Sequence, residues 1–444
     1  MNTVLGHHTF SICEPKTIDD GFGVRKDAFL YMNESGEIRV RPDKKNVDIS
    51  KIKDKFLRSL ASSLSRRYRI EYISEPKGLS WDLRLSPYSP SYIRRWSDED
   101  KPCSVKAKIT PKAFLGITDY ITAANENDVP SVERKFNEEA KAISPLLGDF
   151  DSYKPNRVDY CINADVGELD IGCTAEQMIT LIKRADISHF KELMQYDKVS
   201  RREKSDKHSL YLMSGSVNIN CYWPYAWQRK KHPERPATKD AYNVIRFEVQ
   251  SKYSKVYNML KNFKEAGCTN LTHQMLSDEI SADTVRYYFH KTIGRGDYFT
   301  LENAVTMVQL KGHRPAKEQN LIDALRLVNR CRGISKAKSE LSDSELASFK
   351  LSLHELNASG INPVTVPKEW DVCWSVNQYG IKYLPNLLNA FYEKLQNGVI
   401  PITKGMKRHL AKFAYEKVCE NMTTEEIAML GNEGDISKSK CSQV

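Results

Sequence analysis

Three short runs in the middle of the chain alternate between apolar and polar residues, and this period of two constrains the fold more than any other feature. "RVDYCIN" sets Arg157, Asp159, Cys161 and Asn163 on one side of a strand and Val158, Tyr160 and Ile162 on the other. "VNINCY" sets Asn218, Asn220 and Tyr222 against Val217, Ile219 and Cys221. "VIRFEVQ" sets Arg246, Glu248 and Gln250 against Ile245, Phe247 and Val249. Short turns such as Ser214-Gly215-Ser216 join neighbouring runs, which predicts an antiparallel sheet. With the apolar sides down on a core, the polar sides share one surface. Water-facing sheets often carry such charge, and Arg–Glu pairs are ordinary on them. Tyr222 at a strand end, just before Pro224, is less ordinary.

The flanking regions read differently. "FLYMNESGEIRVRP" predicts a hairpin, and Ile52, Phe56, Leu57, Leu60 and Leu64 have helical spacing. "WDLRLSP" and "CSVKAKIT" alternate like strands, and Thr110-Pro111 suits a helix start. A polar stretch, "NENDVPSVERKFNEEAKAIS", separates this region from the middle one, where Thr174 opens a helix. Past about residue 265 long helical segments follow, with Thr300 and Ser342 at starts and Gly360 and Gly398 past ends. The expected fold class is α+β, an antiparallel-sheet region followed by an all-helical C-terminal domain. The expected domains are an N-terminal α/β subdomain (1–125), a catalytic antiparallel-sheet subdomain (126–265) and a helical domain (266–444).

The net charge of +10, from 67 Lys plus Arg against 57 Asp plus Glu, favours a polyanionic partner, nucleic acid foremost. No apolar run is long enough to span a bilayer, and the first residues lack the basic start and apolar core of a signal peptide, so a cytoplasmic protein with no membrane partner is expected. The ten cysteines include no CxxC pair, which fits small core residues in a reducing compartment.

The polar surface suggests a chemistry. A tyrosine oxygen can attack a DNA phosphodiester, but its pKa near 10 makes it a weak nucleophile unless a cation or base assists. Asp159 and Glu248 supply hard oxygen ligands for Mg2+ or Mn2+, with Asn163 as a third candidate. Arg157 and Arg246 offer planar forks for phosphate. Asn218 and Asn220 on the strand, and Arg229, Lys230 and Lys231 in the basic stretch "QRKKHPERPATKDAY", are candidates for DNA contact; that stretch is expected to be a loop.

"RVDYCINADV", "SLYLMSGSVNINCYWPYAW" and "NVIRFEVQSKYSK", in this order, resemble the replication-initiation factor family: rolling-circle initiators of Gram-positive plasmids and relaxases of some conjugative elements. The resemblance implies site-specific nicking and joining of DNA through a 5′-phosphotyrosyl link. Tyr222 stands at the nucleophile position, Asp159 and Glu248 at acidic positions associated with metal, and Arg246 at the basic position. It also implies origin DNA in single-stranded or cruciform form as partner, a homodimer and a host helicase. Where the family has Asp-Lys after the tyrosine, this chain has Trp223-Pro224, which leaves Tyr225 and Tyr211 open as alternative nucleophiles.

Three rivals differ. Rolling-circle enzymes with a His-hydrophobic-His metal motif do not fit, because His7 and His8 are adjacent. A tyrosine recombinase would draw on Arg408-His409 and Tyr415. A DNA-binding initiator or regulator that does not cut would use a helix-turn-helix near 275–305, with Arg286 or Lys291 at phosphate; there the alternative is a plain bundle that buries Tyr287, Tyr288 and Phe289. "SYIRRWSDED" groups Arg94, Arg95 and Trp96 either against DNA or as a salt-bridge cluster.

Overall fold

The structure is a computed structural model that describes residues 3–16, 29–32, 38–41, 69–73, 78–84, 103–117, 121–143, 148–187, 190–197, 202–204, 206–231, 233 and 239–420. Strands are numbered in chain order: β1 (Val4–Lys16), β2 (Phe29–Met32), β3 (Ile38–Arg41), β4 (Arg69–Ile73), β5 (Leu79–Arg84), β6 (Cys103–Ile109), β7 (Lys154–Asp165), β8 (Lys191–Glu192), β9 (Gln195–Asp197), β10 (Arg202–Lys204), β11 (Ser209–Met213), β12 (Val217–Tyr222), β13 (Val244–Ser251), β14 (Ser375–Val376) and β15 (Lys382–Tyr383). Nine form one sheet in the order β4-β5-β6-β1-β7-β13-β12-β11-β8, and every neighbouring pair is antiparallel. β2 and β3 pair as the expected hairpin.

The alternation does what its period requires. Val158, Tyr160, Ile162, Ile219, Cys221, Phe247 and Val249 are all buried on one face. Helices cover that face. Phe289 of helix Asp278–Thr292 meets Phe247 edge-on, and the Tyr160 hydroxyl donates to the carbonyl of Met275 at 2.9 Å. The C-terminal helices thus complete the core of the sheet, and one apolar cluster runs through both halves.

Three findings depart from the sequence reading. β1 lies inside the sheet between β6 and β7, so segments on either side of residue 125 share one sheet. The "polar separator" contains a helix, Val129–Ile143, whose Val132, Phe136 and Ala140 are buried; Phe136 packs on Trp81 at 5.2 Å between ring centroids. Its buried positions recur at helical spacing but are outnumbered by charges. The basic stretch begins as helix Pro224–Lys231, not a loop, because Pro224 takes a first-turn position where its missing N–H costs nothing.

In the C-terminal half, Thr300 accepts a hydrogen bond from Asn303 and Ser342 forms a capping box with Glu345. Gly360 and Gly398 take positive φ after their helices. Of the aromatic trio, Phe289 is core, Tyr288 is half-buried and Tyr287 is 58% exposed. Among the described residues no helix is long and apolar enough to cross a membrane. The helix expected around Ile52–Leu64, the Arg94-Arg95-Trp96 group and the C-terminal tail lie outside the described residues.

Candidate active site

Register alone assembles the polar face. Tyr222, Arg246 and Asn163 are lateral neighbours on β12, β13 and β7. One step along, Asn220, Glu248 and Cys161 form the next row; beyond it come Asn218, Gln250 and Asp159. All of the strand residues read as polar therefore face the same way, with Tyr211 of β11 beside Asn220.

At the centre, Arg157 grips Asp159 with two hydrogen bonds, Nε to Oδ1 at 2.6 Å and Nη2 to Oδ2 at 2.8 Å. The Asp159 side chain is 3% exposed while Arg157 is 39% exposed, so the guanidinium roofs the carboxylate. Burial, then the neighbouring Glu248 charge, raise the Asp159 carboxyl to about 7 despite Arg157. Glu248 is also buried; its Oε1 accepts from the Gln250 amide at 2.6 Å.

The residue that sequence reasoning missed is His8. β1 pairs His7 with Tyr160 and Thr9 with Asp159, and the register shift between them leaves His8 as a bulged extra residue. The ordinary alternation of a strand sends His7 and His8 to opposite faces, and the bulge sets His8 and Thr9 together on the polar one. His7 is buried beside Phe10 in the core, while the His8 Nδ1 lies 3.6 Å from Glu248 Oε2 and 3.3 Å from Thr9 Oγ1. Burial, then the charges of Arg246, Lys108 and Arg157, hold the His8 imidazole well below its usual range, so it is neutral at pH 7.

Tyr222 occupies a second, deeper pocket. Arg246, 0% exposed, donates through Nη1 to the Tyr222 hydroxyl at 3.2 Å, through Nε to Asn163 Oδ1 at 2.7 Å and through Nη2 to the Ile121 carbonyl at 3.1 Å. Asn163 also donates to Ile121. Arg246 is closed off from solvent, and Tyr222 is one of its three partners. Asn163 turns its oxygen to Arg246, so its place is in the arginine's cradle and not beside the carboxylates. Tyr222 itself is 4% exposed in surroundings that are polar on the arginine side.

The alternative tyrosines separate. Tyr211 is half-buried on the same face, its hydroxyl 2.9 Å from the Asn218 amide and 3.3 Å from Gln250 Oε1. Tyr225 lies on helix Pro224–Lys231 and packs with Ile121, Ala241 and Val244. Asn220 is half-buried beside Glu248; Arg229 is exposed above the Tyr225 ring, and Lys230 pairs with Asp206 at 2.6 Å. Lys231 ends the helix, and its side chain lies outside the described residues.

Other candidates have different partners. Arg286 pairs with Asp283 and stacks on Phe413, and Lys291 sits over Tyr287. His409 is buried between Tyr392 and Asp283, and Arg408 pairs with Glu279. Among the described residues, Glu133, Asp151 and His273 bring three ligand atoms within 4.8 Å of one another. Glu133 belongs to the helix over the apolar face, so this group sits away from Asp159 and Glu248.

No protein-family model matches the chain, and no curated protein sequence does. Among solved structures, a rolling circle replication initiator protein from Geobacillus stearothermophilus is similar over 64% of this chain and 85% of that chain, at 10% identity and a TM-score of 0.25. A score that low assigns neither fold nor chemistry.

Proposed function

We propose that the chain cuts and rejoins one DNA strand at a replication or transfer origin through a tyrosine–phosphate link. The observation that supports this best is the common face: Tyr222 with its arginine, two buried carboxylates and a neutral imidazole all project from adjacent strands to one side of the sheet. The ordered motifs that resemble the replication-initiation factor family point the same way.

In this reading the Tyr222 oxygen attacks phosphorus, the bond to the 3′-oxygen breaks, and a 5′-phosphotyrosyl ester forms. The phenol proton passes to solvent water, and the departing 3′-oxygen takes a proton from water in exchange. Arg246 holds the phenol oxygen by a hydrogen bond from Nη1. Arg157, the exposed guanidinium, is the one placed to meet phosphate.

The donor types suit a divalent cation, although the ligand atoms of Asp159, Glu248 and His8 do not all lie within 4.8 Å of one another, as those of Glu133, Asp151 and His273 do. Two buried carboxylates in one low-dielectric site, one of them raised by the other, are stabilised by positive charge beyond what Arg157 supplies. Asp159, Glu248 and His8 are the residues that would hold Mg2+ or Mn2+, and a nitrogen ligand shifts the preference toward Mn2+. Bound there, the cation would polarise the phosphate and offset charge on the leaving oxygen.

A second reading keeps the chemistry and changes the nucleophile: Tyr211 is more exposed than Tyr222 and reaches Gln250, which holds Glu248. A third keeps DNA binding alone. The test mixes purified protein and Mn2+ or Mg2+ with supercoiled plasmid carrying the DNA that flanks the coding sequence. Relaxed circles with protein fixed to a 5′ end are expected; binding without relaxation under either metal leaves only the non-cutting initiator. A host helicase and a second copy of the chain belong to the proposal through the resemblance alone.

A further inference from the structure

Directly after Tyr222 the chain builds a surface that the cutting chemistry does not use. Trp223 and Tyr225 lie 5.5 Å apart between centroids, with their planes 31° from parallel. Tyr242 meets both edge-on, at 5.8 Å and 5.2 Å, and His208 meets Trp223 at 5.6 Å. The Trp223 indole N–H donates to the Tyr242 carbonyl at 2.8 Å, which fixes the cluster. Yet the cluster is not sealed: Tyr242 is 51% exposed, and Trp223 and Tyr225 are half-buried. Lys207, Arg229 and Lys239 are exposed around it, with Arg229 5.9 Å above the Tyr225 ring. Of the nearby acids, Asp206 is paired with Lys230 and Asp240 is exposed.

The cluster is also tied to the site. Tyr225 packs on Ile121, whose carbonyl receives Arg246, which holds Tyr222. Rigid, half-open aromatic rings ringed by cations are what unpaired bases need, because every base has a π-face and every nucleotide a phosphate. We infer that Trp223, Tyr225 and Tyr242 form a stacking platform for unpaired bases of single-stranded DNA next to the strand to be cut. This rests on the DNA reading above and names the form of DNA at the site. Trp223-Pro224 then has a role of its own: the tryptophan begins the platform and the proline turns the chain into the helix that carries Tyr225.

The test measures binding of labelled single strands of about 12 nucleotides, with and without bases, at one salt concentration. The full chain is expected to prefer the base-bearing strand by about tenfold or more, since stacking on an aromatic ring is worth that much per base. Tyr242→Ala, at a half-exposed position, should erase most of this preference while leaving abasic binding unchanged. Trp223→Ala should do the same if its thermal midpoint is intact. Arg229→Ala should weaken both strands alike. Equal binding of the two strands by the wild type, or an unchanged preference in Tyr242→Ala, overturns the platform. Tyr222→Phe separates the two readings, because it should abolish cutting and keep the preference. A wild type that stacks bases and never cuts would sink the cutting reading and leave the platform standing.

Discussion

Asp159 and Glu248 share one buried site, so the proton on Asp159 sets a pH dependence whose sign can be worked out. Its carboxyl stands near 3.8 when unperturbed and is raised to about 7 in the fold. Between about pH 4 and 7 the unfolded chain has lost this proton and the folded chain keeps it, so stability falls as pH rises through that window. Asp159→Asn should therefore gain about 1–3 kcal/mol on the wild type at pH 8 relative to pH 4, read from urea midpoints at the two pH values. An equal difference at both pH values would mean that burial and Glu248 do not raise the Asp159 carboxyl in the fold. His7 works in the opposite direction. Burial lowers its imidazole to about 4, so its contribution is present above about 6.5 and lost as pH falls toward 4. His7→Leu should flatten the acid side of the stability profile by up to about 3.5 kcal/mol, since the imidazole falls from 6.5 to about 4 and each tenfold change in proton affinity is worth about 1.4 kcal/mol. At the proposed metal site, His8→Ala should weaken Mn2+ binding about tenfold in a paramagnetic titration while leaving the fold intact.

At the scale of elements, the three alternating strands were legible because period two survives in each of them. β1 was not, because its bulge breaks the period at His7-His8 and hides the continuation Thr9, Ser11 and Cys13 opposite Phe10 and Ile12. The helix Val129–Ile143 was masked by its solvent-facing charges. The enclosure of Arg246 was legible nowhere, since Ile121, which closes it, comes from 125 residues away in sequence. One small residue holds that closure in place. Gly6 lies against the backbone bridge between His7 and Ala124, and a Cβ there would stand 1.9 Å from the Ala124 carbonyl oxygen. Gly6→Ala should cost several kcal/mol and loosen the Ile121 segment, whereas Gly215→Ala, with nothing within 4 Å, should be close to neutral. Paired denaturation curves decide this; equal effects would show that the bridge does not hold the pocket.

Across the whole molecule, the sheet's apolar face has its cover in the C-terminal half. A fragment ending near residue 265 would strip Met275 from Tyr160 and Phe289 from Phe247, exposing a wide buried surface. Such a fragment should be insoluble or lack a cooperative melting transition, although sequence pattern alone suggests a separate nicking unit ending there. The antiparallel sheet and helical C-terminal region were readable; their dependence on each other was not, because contacts over more than a hundred residues leave no local pattern.

Strand cutting at this face would need the Tyr222 phenol to react beside the two carboxylates. The most direct measurement incubates protein with a labelled single strand or supercoiled plasmid and Mn2+, digests the covalent adduct and identifies the modified residue by mass spectrometry. A phosphodeoxynucleotide on Tyr222, absent in Tyr222→Phe, is the expected result. An adduct that survives Tyr222→Phe, or no adduct under any divalent cation while DNA still binds, would contradict it.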